Sequence, residues 1–105
     1  MIVRIWRGRT RREDRDAYTE YVRRTGLAGY AATAGNRGSA LLCRDVGDET
    51  EFVTLSYWDS LDDIKAFAGD DVETAVFYPE DDKYLTDRDL TVSHFELVDG
   101  ELPQS

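Results

Sequence analysis

The chain's only histidine, His94, stands in TVSHFEL (91–97), where alternating residue types read as a strand. An imidazole titrates near neutral pH without a large shift, which makes His94 a candidate general base. The competing reading, which the absence of any partner motif favours, is a hydrogen-bonded structural histidine at a dimer interface. A second group is aromatic. Tyr18, Tyr21, Tyr57 and Phe67 are spaced to wall a pocket for a flat ligand between helices and sheet, or simply to fill a core. In FYPEDDKYL (77–85) the aromatic residues Phe77, Tyr78 and Tyr84 are placed to anchor a flap over that pocket. The acids Asp81 and Asp82 are adjacent rather than at metal-binding spacing, so they read as a solvated loop and no metal site is expected. Cys43 reads as a small buried hydrophobe. GNRG (35–38) precedes a strand and reads as a turn, since a phosphate loop needs a helix there.

The elements that must position these groups follow from periodicity. IVRIWR (2–7) is a strand, and the spacing of Ala17, Tyr18, Tyr21 and Val22 predicts a helix over about 12–24, capped by Thr10 with Glu13 and stopped at Gly26. SALLCRD (39–45) and EFVTLSYW (51–58) form a hairpin around VGDET. Ser60 and Asp63 cap a second helix whose stripe is Leu61, Ile64, Phe67 and Ala68, ended by Gly69. DDVETAV adds a further helical turn before Pro79, and 91–98 is the last strand. The order β-α-β-β-α-β predicts an α+β, ferredoxin-like fold: a four-stranded antiparallel sheet, strand 1 central, with both helices on one face.

Alternation sorts the strand residues into two faces. Val3, Ile5, Leu41, Cys43, Val53, Leu55, Tyr57, Phe95 and Leu97 share the face expected under the helices. Arg4, Trp6, Leu42, Arg44, Phe52, Thr54, Ser56, Trp58, His94 and Glu96 share the other, too aromatic for water, which predicts a homodimer packed sheet to sheet.

A length of 105 residues suits one domain over 1–105, and so small a core gains from self-association. The net charge of −9 argues against nucleic acid and anionic membranes as partners. Residues 1–24 hold eight Arg against four acids (+4), and the remainder five Lys/Arg against 18 acids (−13). The cluster Arg7, Arg9, Arg11 and Arg12 is read as a solvated loop or an anion-attracting rim. No apolar run approaches the roughly 18–20 residues of a membrane span. With no signal-like N-terminus and one cysteine, the expected location is cytoplasmic.

The element order, the first strand IVRIWRG, the junction SYWDSLDDIKAF and DDVETAVFY before the last strand resemble the antibiotic biosynthesis monooxygenase (ABM) domain family of the dimeric α+β barrel superfamily. The resemblance covers nearly the whole chain. It implies a dimeric α+β barrel and a small enzyme, a cofactor-independent oxygenase or isomerase acting on an aromatic or polyketide-like molecule. The alternative is a non-catalytic dimer that binds a small molecule or has a structural role. Haem-degrading relatives need an Asn late in strand 1, a Trp in helix 2 and a ligating His beyond it. The matching places hold Trp6 or Arg7, Phe67 and Phe77. The resemblance therefore implies no haem oxygenation and no cofactor. Cyclase-type relatives use a His after helix 2, where this chain offers Tyr78 as the nearest polar substitute. The candidates are therefore His94 and Tyr78 for catalysis, and Trp6, Arg7, Tyr18, Tyr21, Tyr57 and Phe67 for substrate binding.

Overall fold

Ten alternating residues make β1 (Ile2–Arg11), the strand to which three others pair in the computed structural model, which describes residues 1–101. A single helical run follows: a 3-10 turn over Arg12–Asp14, α1 (Arg15–Val22), a π-helical turn over Arg23–Leu27 and α2 (Ala28–Ala31). Gly26 thus does not stop the helix as expected. The wider π turn absorbs it, and Thr25 steadies that turn by donating to the Tyr21 carbonyl at 2.6 Å. Thr10 does not cap the run; its side chain is buried at the end of β1.

β2 (Asn36–Val46) and β3 (Glu49–Trp58) form a hairpin with a two-residue turn, Gly47–Asp48, tighter than the sequence suggested. Gly47 makes it possible with φ +60, a conformation that side chains disfavour. α3 (Leu61–Ala68) is capped as expected. Ser60 Oγ accepts from the Asp63 N–H at 3.3 Å and donates to the Asp63 carboxylate at 2.9 Å, and Gly69, φ +87, ends the helix.

Residues 70–80 form no helix, against expectation. Their backbone bonds instead to 90–92, Ala75 N–H to Leu90 O at 3.0 Å and Val92 N–H to Glu73 O at 2.8 Å. That pairing also splits the fourth strand position. β4 (Leu85–Arg88), which follows the single turn α4 (Asp81–Tyr84), pairs with the far half of β1, and β5 (Ser93–Glu96) with the near half. The sheet is antiparallel, ordered β2-β3-β1-β4, with β5 also on β1. Within β5, His94 lies opposite Arg4, on the one face that alternation gave them both.

The two faces are exchanged relative to the sequence expectation. The helices cover the face of Arg4, Trp6, Phe52, Thr54, Ser56 and Trp58. One cluster joins Tyr18, Tyr21 and Val22 to Phe52, and another joins Tyr30 and Ile64 to Trp58. The reason is volume: the space beneath two helices takes the larger rings, and Phe52 and Trp58 are fully buried there. The register of the hairpin, Leu41 opposite Thr54, also puts Leu41 and Cys43 on the helix side and Leu42 and Arg44 on the other. Cys43 is exposed, on the edge strand of the sheet. The outer face holds Val3, Ile5, Val53 and Leu55, half-buried, with Leu42 and Phe95 47% and 58% exposed.

Candidate functional site

A cavity of about 40 Å³ lies between the helical run, the covered sheet face and the 70–80 segment. β1 contributes Arg4 and Trp6, the helical run Tyr18 and Tyr30 together with Thr25 and Gly26 of the π turn. α3 contributes Phe67. The 70–80 segment and the turn after it contribute Phe77, Tyr78 and Asp81. Two glycines make the packing possible. A Cβ on Gly8 would meet the Trp6 ring at 2.5 Å, and one on Gly29 would meet the Tyr78 hydroxyl at 2.8 Å.

Arg4 is 3% exposed. Its guanidinium donates to the carbonyls of Val72 and Thr74, the latter at 3.2 Å, and to His94 Nε2 at 2.9 Å. A guanidinium only donates, so Nε2 accepts and the imidazole is neutral with its proton on Nδ1. Burial, then the Arg4 charge, lowers the His94 pKa below its ordinary value, with Glu73 opposing. Burial likewise lowers the Arg4 pKa.

Asp81 is 6% exposed. Its carboxylate accepts from the Tyr78 N–H at 2.6 Å, reaching back three residues as capping acids do, and from the Tyr18 hydroxyl at 3.4 Å. Burial raises its pKa, outweighing these bonds and the Arg88 charge. Arg88 is itself bonded to Asp82 at 2.6 Å. Burial, then the Asp81 charge, raises the Tyr18 pKa, and Tyr78 is raised by burial first. Trp6 donates its indole N–H to Asp89 O at 2.8 Å and meets Phe77 edge to face, ring centres 6.3 Å apart.

Of the residues singled out in the sequence, Trp6, Tyr18, Phe67 and Tyr78 line this cavity. Three do not. Arg7 projects from the opposite sheet face, where it pairs with Glu51 at 2.9 Å. Tyr57 lies on that same face, in register with Val3. Tyr21 is core, packed against Tyr18 and Tyr84, its hydroxyl accepting from the Glu80 N–H at 2.9 Å. His94 stands behind Arg4 on the same sheet face, outside the cavity lining. The sequence reading missed Arg4 as a site residue and took Asp81 for solvated. The alternation that pairs Arg4 with Trp6 on one face, and the position of Asp81 just after Pro79, were the available signals. Among the described residues, no cluster of three or more His, Cys, Asp or Glu is arranged to hold a metal ion.

The model of the antibiotic biosynthesis monooxygenase family matches residues 1–73, which carry Arg4, Trp6, Tyr18, Tyr30 and Phe67. The chain belongs to that family. Solved structures share the ABM fold with it. A candidate antibiotic biosynthesis monooxygenase of Bacillus cereus superposes with a TM-score of 0.67 at 14% identity, over 100% of this chain and 98% of that one. Rv0793 of Mycobacterium tuberculosis gives 0.61 at 18% identity, over 94% and 96%. An MhuD mutant with two manganese protoporphyrin IX molecules bound per active site gives 0.61 at 18%, over 98% and 100%. No curated protein matches the chain. Likeness at these identities shows the ABM fold alone.

Two expected results follow. Titration of this ABM protein with haemin should leave the Soret band of free haemin unshifted, because Phe67 and Phe77 fill the cavity wall and offer no nitrogen to iron. A shift that one substitution within 67–84 removes would contradict this. The second concerns acid. His94 is held neutral in the fold, so between about pH 6.5 and its lower folded value the unfolded chain binds the extra proton. Stability should therefore fall as pH drops through that window. His94→Gln should flatten that slope in urea titrations; an unchanged slope would contradict the assignment.

Proposed function

We propose that this ABM protein is a small enzyme that takes an aromatic hydroxy compound into the cavity between helices and sheet, with Asp81 as the base. The observation that carries the reading is a buried carboxylate, without a cation partner among the described residues, on the wall of an aromatic cavity. A carboxylate with a raised pKa is suited to accept a phenol proton. Asp81 gains the proton as the phenol O–H bond breaks, and Tyr18 and the Tyr78 N–H hold the carboxylate in place. The electron-rich phenolate then reacts with dioxygen. In the overall change one ring C–H becomes C=O, and the second oxygen atom leaves as water.

A cavity of about 40 Å³ holds only a few waters. Ligand entry therefore requires the 70–80 segment to swing out, taking Phe77 and Tyr78 with it. That segment has no helix of its own and few backbone bonds to hold it. The small cavity is also what favours the alternative, a non-catalytic module. Oxygen uptake with 1-naphthol and related phenols separates the two: protein-dependent uptake supports the enzyme, and binding without uptake supports the module.

In this reading the working unit is a homodimer packed through the outer sheet face, where Val3, Ile5, Leu42, Val53, Leu55 and Phe95 leave an apolar surface open. Sedimentation should give twice the 12.0 kDa chain mass. Leu55→Asp should give a folded particle of one chain mass. A wild-type monomer at micromolar concentration would contradict the dimer. A cytoplasmic setting fits the single cysteine.

A further inference from the structure

Charge pairing across the molecule singles out one residue. The chain has 22 acidic residues, and ten of its arginines lie in ion pairs, from Arg7 with Glu51 to Arg88 with Asp82. Arg4 is the exception among the described residues, and it is also the buried one. An ion without a counter-ion in a low-dielectric interior is costly, and three neutral acceptors recover only part of the lost hydration. The fold nevertheless places this cation on the wall of a cavity that Trp6 and Tyr30 also line.

We propose that Arg4 is the receptor for a carboxylate, so that the ligand of this cavity is a hydroxyaryl carboxylate. The assignment rests on the reading of the cavity as the ligand site. A guanidinium fork matches a carboxylate with two parallel hydrogen bonds. Without ligand, two of its N–H groups are engaged by the carbonyls of Val72 and Thr74, which belong to the segment that must move for entry. A carboxylate takes over those donors as the segment lets go. Asp81 fixes the orientation. It lines the same cavity but is not ion-paired with Arg4, and its own negative charge repels a carboxylate. The acid group therefore goes to Arg4, and the hydroxyl to Asp81 and Tyr18.

His94 is a positioning residue here. Its Nε2 holds Nη1 at 2.9 Å and so sets the plane of the fork. The outer cleft of about 140 Å³ beside Arg7, Arg9 and Arg88 differs in kind, because each of those cations already has a carboxylate.

The test is calorimetric titration of the full chain with 4-hydroxybenzoate and 6-hydroxy-2-naphthoate, each against its primary amide, which has the same shape without the charge. Wild type should bind the better acid at least about tenfold tighter than its amide, the size expected for a charge-assisted pair. Arg4→Gln should remove that preference. Arg4→Lys, which keeps the charge and loses the fork, should reduce it, and so should His94→Ala, with partial recovery in His94→Gln. Equal binding of acid and amide would overturn the role of Arg4 while leaving the cavity reading standing. An acid preference that survives both Arg4 variants would overturn it too, placing the carboxylate elsewhere. Binding of neither compound would overturn both readings.

Discussion

Asp81→Asn is expected to lower turnover of a hydroxyaryl substrate by about 100-fold or more while leaving its binding and the fold in place. Asparagine keeps the size of the side chain, and its amide oxygen still accepts from the Tyr78 N–H, so the turn before α4 survives. What it loses is basicity. A structural role for Asp81 predicts the opposite pattern, turnover kept and the melting temperature lowered. If Asp81 is instead the base, replacing it by a neutral isostere should leave the melting temperature unchanged or raise it, because burial already penalises the ionised carboxylate. The measurement is oxygen uptake beside thermal melting. Full turnover in the asparagine variant would remove Asp81 from the chemistry.

The second large effect is on stability. Trp58→Ala should cost about 3–5 kcal/mol, the range for emptying a buried aromatic site. Trp58 is fully buried, meets Tyr30 and Phe67 at ring-centre distances of 6.1 and 6.0 Å, and donates its indole N–H to Ser56 at 2.9 Å. Against a total stability of about 5–15 kcal/mol, such a loss leaves a marginal fold. Leu55, on the other face of the same strand, should behave in the opposite way, since Leu55→Asp attacks association and spares the monomer. Urea unfolding of both variants decides which face is core. A Trp58→Ala protein of near wild-type stability would put the helices on the wrong side.

That contrast marks where the sequence was legible. Alternation separates Arg4 and Trp6 from Val3 and Ile5 and puts His94 on the face of Arg4, where the fold pairs the two. It does not say which parity meets the helices, because both faces carry apolar side chains. Purity of composition favoured Val3, Ile5 and Leu55, while ring volume decided for Trp6, Phe52 and Trp58. Once the faces are exchanged, Arg4 moves from an interface to the interior, so its role could not be seen without the fold. Asp81 was hidden for another reason. It stands in a run of three acids, and only the close packing of Tyr18 and Tyr78 around it takes it out of water. The split of the last strand depends on long-range pairing, Thr74 with Thr91, which local propensity does not encode. The capping pair Ser60 and Asp63 was legible because it is wholly local.

The account turns on the cavity beneath the helices being the place where ligand binds. The direct measurement is a ¹H–¹⁵N spectrum of the labelled protein titrated with 6-hydroxy-2-naphthoate. The account predicts that the Trp6 indole signal shifts, together with the amides of Thr25, Gly26, Tyr78 and Asp81, while Val53 and Leu55 on the outer face stay still. Shifts confined to the outer face or to the cleft beside Arg7 and Arg9, with the Trp6 indole unmoved, would contradict it.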